Sequence, residues 1–226
     1  MWLSSIRATT NRCISNKYTV FFKKMKIICV GWNYCEHNAE MNRSAKPDNP
    51  IFFLKPDTAL LRENKPFFLP DFSEQIEYEC ELVYRIGRIG KNISEKFAHR
   101  YYSEIALGVD FTARDLQAAC RRQGAPWEVA KAFDNSAAIS NFIDTSSVDD
   151  ELNFSLSING NVVQSASASD MIFSIDRIIS HISKYITLKI GDLIYTGTPA
   201  GVGRVHIGDR LQGFIGNRLM FDFVVK

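Results

Sequence analysis

Several features are scarce in this 226-residue chain, and each absence removes a class of function. Basic excess is one. Lys and Arg number 27 against 25 Asp and Glu, a net charge of +2. Nucleic-acid binding needs a marked basic surplus, so no nucleic-acid partner is expected. Long apolar runs are also missing. None approaches the roughly 20 residues of a membrane-spanning helix, so no membrane partner is expected. No CxxC pair occurs among Cys13, Cys29, Cys35, Cys80 and Cys120. An odd, scattered set argues against a disulfide framework or a thiolate zinc site, and for free thiols in a reducing compartment. The glycine-rich stretch 196–203 lacks the Gly-Lys-Ser/Thr of a phosphate-binding loop, which excludes that mode of nucleotide binding.

Acidic residues are absent from the first 35 positions, where Glu36 is the first. Arg7, Arg12, Lys17, Lys23 and Lys24 lie among Ser and Thr there. Such a start resembles a mitochondrial transit segment. The alternative, which we favour from sequence alone, is initiation at Met25, just before the strand-like Lys26–Val30. The first option implies the mitochondrial matrix and the second the cytoplasm. In both, residues 1–24 are expected to lie outside the fold, with 25–226 forming one domain.

What is present is a strand-dominated pattern with no regular β-α-β-α series, so a strand-rich α+β roll or barrel is expected rather than a doubly wound sheet. Strands are expected at 26–30, 51–54, 67–69, 77–86 and 104–109, and a helix across 33–41. Asn159-Gly160-Asn161 reads as a hairpin turn. Thr112 is expected to cap a helix that ends at Gly124, and Ser94 a short helix running to Tyr101. Ser169 is expected to cap a helix whose Met171, Ile172, Ile175, Ile178, Ile179 and Ile182 form a core-facing stripe.

The strand at 77–86 carries the strongest chemical signal. Alternation puts Glu77, Glu79 and Glu81 on one face, roughly 7 Å apart in succession. Like charges at that spacing repel, and burial worsens the penalty. A hard divalent cation such as Mg²⁺ removes it. A solvated strand face is the bland alternative. Asp110, at the end of an apolar strand, is placed to converge on the same point.

Six motifs then occur in order: Gly31-Trp32-Asn33-Tyr34 with His37 and Glu40, Phe53-Leu54-Lys55-Pro56, Tyr78-Glu79-Cys80-Glu81-Leu82, Asp110-Phe111-Thr112-Ala113-Arg114-Asp115, Lys131-Ala132-Phe133-Asp134, and Thr196-Gly197-Thr198-Pro199-Ala200-Gly201-Val202-Gly203. From about Met25 onward the chain resembles the fumarylacetoacetate hydrolase family, and within it the small acylpyruvase and oxaloacetate-decarboxylase type. The resemblance implies a mixed β-roll, a homodimer and a small 2-oxo acid substrate. It implies Mg²⁺ or Mn²⁺ on Glu79, Glu81 and Asp110, with Glu77 outside the ligand set, buried behind it or exposed. It implies His37 and Glu40 as the acid–base pair, and their i, i+3 spacing puts them on one helix face. Lys131, Thr198 and Gln117 are expected to bind substrate, and Arg114 to serve as an ion-pair partner. The chain departs from many relatives in carrying Trp32 where they have Arg. The expected reaction is hydrolysis of a C–C bond in acylpyruvates, with oxaloacetate decarboxylation at the same site. The alternatives are an isomerase or tautomerase of 2-hydroxy-diene or 2-oxo diacids, and a binding protein without catalysis.

Overall fold

The computed structural model describes residues 25–41, 46–149 and 151–226. The expectation for residues 1–24 falls outside the described residues. Fifteen strands and four α-helices form a strand-rich α+β fold, among the described residues. Its centre is an eight-stranded mixed sheet. Cys80–Ile86 and Tyr102–Asp110 pair antiparallel in the middle. Leu193–Tyr195, Ile27–Gly31 and Ile51–Lys55 follow on one side, Ala137–Ile139 and Leu60–Leu61 on the other, and Ile143–Asp144 also pairs with Tyr102–Asp110. A four-stranded antiparallel sheet holds Asn161–Ser167, Asn153–Ile158, Arg210–Ile215 and Arg218–Val224, and a three-stranded one holds Gly203–Arg204, Ile76–Tyr78 and Thr112–Ala113.

Alternation along the central strands sorts two faces. Ile28, Val30, Leu82, Tyr84, Ile105 and Leu107 point into the main core, with the isoleucines of the helix Ile175–Ile182 and the apolar face of the four-stranded sheet. Ile27, Cys29, Val83, Ala106, Leu193 and Tyr195 form a smaller cluster on the opposite face. Glu81 and Asp110 have the parity of this second face, as does Lys55. The acidic residues therefore stay out of the main core even though their strands cross it.

Several local expectations need correction. The strand at 77–86 is interrupted. Ile76–Tyr78 belongs to the three-stranded sheet and Cys80–Ile86 to the central one, and the chain changes sheets at Glu79. Residues 67–69 form no strand. Phe67 makes an isolated bridge to Val225, because Pro66 and Pro70 flank the segment and limit its pairing. Thr112 is no helix cap. It pairs with Glu77 as a strand residue, its hydroxyl donates to Asp110 O, and the helix Arg114–Gln123 begins after Ala113. Gly124 ends that helix as expected, in the left-handed conformation at φ 65°. Ser94 precedes a 3-10 helix, Glu95–Tyr101, without a side-chain cap bond. Ser169 sits inside a short 3-10 turn, and Ser174 caps the helix through a bond from Arg177 N–H. The Ile175, Ile178, Ile179 and Ile182 stripe is core, while Met171 and Ile172 precede the helix.

Candidate active site

The change of sheets at Glu79 shapes the site. Asp110 N–H donates to Glu79 O at 2.8 Å, which sets the two residues side by side at the break between the strands. Cys80 follows at the gap. Its N–H is taken by Gln164 Oε1 at 2.9 Å, and its carbonyl accepts from the Thr198 hydroxyl at 2.9 Å. Side chains thus satisfy a backbone that the ladder leaves open. Glu79, Glu81 and Asp110 then share one face, all buried, each with a carboxylate oxygen within 4.8 Å of the others.

Cations crowd around them. Arg114 gives Nη2 to Glu79 and Nε to Glu77, each at 2.6 Å. Lys131 Nζ bridges Glu79 Oε2 at 2.7 Å and Asp110 Oδ2 at 2.9 Å. Lys55 Nζ lies 2.8 Å from Asp110 Oδ1 but directs its hydrogen bonds to Lys131 O, Ser136 O and Ser136 Oγ. Asp110 Oδ1 is accordingly a buried oxygen that accepts no hydrogen bond. Four carboxylates (Glu77, Glu79, Glu81, Asp110) face three cations (Lys55, Arg114, Lys131) across these ion pairs. Glu81 is the one without a cation. It accepts Gly197 N–H at 2.8 Å instead.

The electrostatics follow that imbalance. Burial pushes the Glu81 carboxyl well above its ordinary range, and the Asp110 and Glu79 charges push it further. Burial also works to raise Glu79, but Lys131 and Arg114 outweigh it and hold its carboxyl low. Lys131 keeps its proton against burial because Asp110 and Glu79 face it. A buried, all-oxygen set with one carboxyl that lacks a cation and one open acceptor fits a hard divalent cation, whose charge would favour the ionised form.

His37 lines the same cavity as the triad. It sits on the six-residue helix Cys35–Glu40, and its Nδ1 is 3.4 Å from Glu40 Oε2. Burial chiefly lowers its pKa below 6.5, with Arg114 adding to this and Glu79 and Glu40 opposing it. The ring is therefore neutral at pH 7. Glu40 is held in turn by Gly201 N–H, at 3.2 Å to Oε2. The turn 196–203 thus holds two carboxylates of the candidate site, Glu81 through Gly197 and Glu40 through Gly201. Both positions require glycine. Each has φ 96°, and a Cβ would stand 2.9 Å from Asn33 Cβ at Gly197 and 2.2 Å from Val163 O at Gly201.

The chain belongs to the fumarylacetoacetate hydrolase family. The family model for the fumarylacetoacetate (FAA) hydrolase C-terminal region matches residues 26–218. The mitochondrial oxaloacetate tautomerase of Bos taurus is 42% identical over 202 residues, covering 88% of this chain and 91% of that protein. The oxaloacetate tautomerase of Escherichia coli K12 is 39% identical, covering 82% and 86%. Among solved structures, the fumarylpyruvate hydrolase of Pseudomonas aeruginosa, in complex with Mn²⁺ and pyruvate, superposes with a TM-score of 0.85 at 34% identity, covering 89% of each chain. This member of the fumarylacetoacetate hydrolase family is an enzyme, and its fold is the strand-rich roll of those relatives.

Lys131, Gln117 and Thr198, the expected substrate-binding residues, line one cavity with the triad and His37. Thr198 does so with its hydroxyl hydrogen committed to Cys80 O, while Gln164 Nε2 donates to its oxygen at 2.8 Å. Glu77 is buried rather than exposed, clamped between Arg114 and Gln75. Arg114 is the expected ion-pair partner, and it also accounts for Gln117, whose Oε1 accepts its Nη1 at 2.8 Å. Trp32 lines the cavity at φ 64°, a left-handed backbone that costs a bulky residue about 1–2 kcal/mol. Lys55 stood in one of the six motifs without an assigned role, and Gln164 had no site role in the sequence reading. Lys55 carried a usable signal, since it shares the parity of Phe53 on an otherwise apolar strand. Gln164 carried none.

Proposed function

We propose that this enzyme is a divalent-metal-dependent keto–enol tautomerase of oxaloacetate, with Mg²⁺ or Mn²⁺ on Glu79, Glu81 and Asp110. The observation that carries the reading is the buried triad, one carboxylate short of a counter-charge, in one cavity with a neutral imidazole. The tautomerase names of two relatives near 40% identity direct the choice of reaction. A cation so held supplies positive charge where the 2-oxo oxygen becomes negative. His37 works on the carbon. With Nδ1 facing Glu40, Nε2 takes the proton from C3, and Glu40 steadies the imidazolium that results. The C–H bond breaks, an O–H bond forms at the 2-oxo oxygen, and the imidazole returns to neutral. Lys131, Gln117 and the turn around Thr198 form the wall that receives the adjacent carboxylate.

A second reading, hydrolysis of acylpyruvates, has its own support. About a third of Glu40 is exposed (35%), so solvent reaches the partner of His37 and a water there can be activated. A solved relative is a fumarylpyruvate hydrolase. Decarboxylation of oxaloacetate uses the same substrate and needs no water. The mitochondrial name of the Bos taurus relative favours the transit reading of residues 1–24, and a homodimer is proposed from the family resemblance alone. No helix among the described residues is long and apolar enough to cross a membrane.

Ultraviolet absorbance of enol oxaloacetate, followed beside pyruvate release from acetylpyruvate, tests the assignment. Chelation with EDTA should abolish turnover, and Mg²⁺ or Mn²⁺ should restore it and raise the melting temperature. Full activity in metal-stripped protein would sink the proposal.

A further inference from the structure

The helix Arg114–Gln123 lays Arg114, Gln117 and Arg121 along one face, at i, i+3 and i+7, and all three line the cavity. The first two are occupied. Arg114 bonds Glu77, Glu79 and Gln117, and Lys131 across the cavity bonds Glu79 and Asp110. Arg121 is the cavity cation that pairs with no carboxylate among the described residues. Its Nε is buried and has no hydrogen-bond partner. A buried donor without an acceptor calls for an explanation, and a ligand oxygen is one.

The surroundings fit a planar anion. The Arg121 guanidinium sits over the Trp127 ring, 5.3 Å from its centroid. That contact holds the group through the ring face and leaves its edge N–H donors for a carboxylate, which they match in pairs. Burial, and then the charge of Arg114, lower the pKa of Arg121, so an anion between the two guanidiniums relieves a repulsion. Position agrees. Arg121 begins about 10 Å along the helix from Arg114, and helical side chains lean back toward the N-terminus, here over the turn of Gln117. A substrate with C1 and its 2-oxo group at the triad carries its C4 carboxylate three bonds further on.

We propose that Arg121 receives the distal carboxylate of a four-carbon 2-oxo dicarboxylate and so selects diacids over monoacids. This rests on the function proposed above and names the residue that sets its specificity.

The test uses Mn²⁺-loaded wild type, Arg121→Gln and Arg121→Lys, with melting temperatures checked. Two substrates are compared, oxaloacetate with the distal carboxylate and acetylpyruvate without it. Calorimetry adds two ligands, difluorooxaloacetate, which lacks the C3 hydrogens the reaction removes, and oxalate, which has no distal group. Arg121→Gln should raise KM for oxaloacetate and weaken difluorooxaloacetate by about 10- to 100-fold, the scale of a lost charge-assisted pair. Acetylpyruvate and oxalate should stay within about twofold, and kcat should change less than KM. Arg121→Lys should recover part of the loss. Equal losses for diacid and monoacid, or undiminished difluorooxaloacetate binding, would overturn the assignment. A wild type that turns over neither acid defeats the proposed function, while the calorimetric comparison still decides Arg121.

Discussion

Glu79 makes charged contacts of 2.6 Å to Arg114 and 2.7 Å to Lys131 from between two sheets, and it is buried. Glu40 reaches His37 at 3.4 Å from a six-residue helix with no side-chain cap, and 35% of it is exposed. The carboxylate side of the cavity is thus set by short bonds between distant segments, and the acid–base side by one long contact and the N–H of Gly201. Disturbing the first side should cost stability and all chemistry together. Disturbing the second should cost rate alone.

The largest effects should come from the triad, and they should differ within it. Glu79→Gln leaves Arg114 and Lys131 buried without their shared carboxylate. Breaking a buried pair in this way costs roughly 3–5 kcal/mol. Metal affinity and every activity should fall with it. Glu81→Gln should also abolish metal binding and turnover, yet leave the metal-free protein as stable as wild type or more so, because burial and the Asp110 and Glu79 charges already disfavour the ionised carboxyl there. Denaturant melts of both variants, with and without Mg²⁺, read the difference. Equal destabilisation by the two would show that Glu81 has a counter-charge after all.

Next comes His37→Ala. Proton transfer should slow by about 10²–10⁴-fold, the usual size of a general-base contribution. The rise in melting temperature with Mn²⁺ should survive, since His37 bonds no member of the triad. Decarboxylation should fall less than tautomerisation, because loss of CO₂ removes no C3 proton. A variant that keeps full tautomerase activity would place the base elsewhere.

These contrasts explain which parts were legible in the sequence. Glu79, Glu81 and Asp110 were readable as a ligand set, and His37 with Glu40 as a pair, through the family resemblance; strand parity and the i, i+3 spacing fitted that reading but did not by themselves set Glu77 apart or give His37 a role. The interruption at Glu79 was not readable. It depends on Gln164 and Thr198, which lie 84 and 118 residues away from Cys80 and satisfy its backbone. The glycine-rich turn was recognised as part of the site, but its bonds to Glu81 and Glu40 span 116 and 161 residues. No local pattern encodes such contacts. The cap at Thr112 failed for a related reason, since a long-range pairing with Glu77 outcompeted the local hydroxyl bond. Arg121 looks in sequence like any exposed cation of a helix's last turn, and only the wall of the cavity distinguishes it.

The smallest effect, and the finest probe of the acid–base side, is Glu40→Gln. Its partial exposure screens the charge, so the plateau rate should fall by only about tenfold, well short of the His37 loss. The pH profile should move as well, and the sign is determined. His37 must be neutral to accept a proton, so the rate falls as pH drops through its pKa. Burial already sets that pKa below 6.5, and Glu40 is one of the groups raising it. Removing the carboxylate should shift the acid limb to still lower pH, leaving a slower enzyme that tolerates acid better. The comparison is made on kcat/KM, which reports the free enzyme. If the limb stays put while the rate falls, Glu40 orients the imidazole without stabilising its charge. If the limb moves up, the group titrating there is not His37, and the pairing read from their spacing is not the acid–base pair of this site.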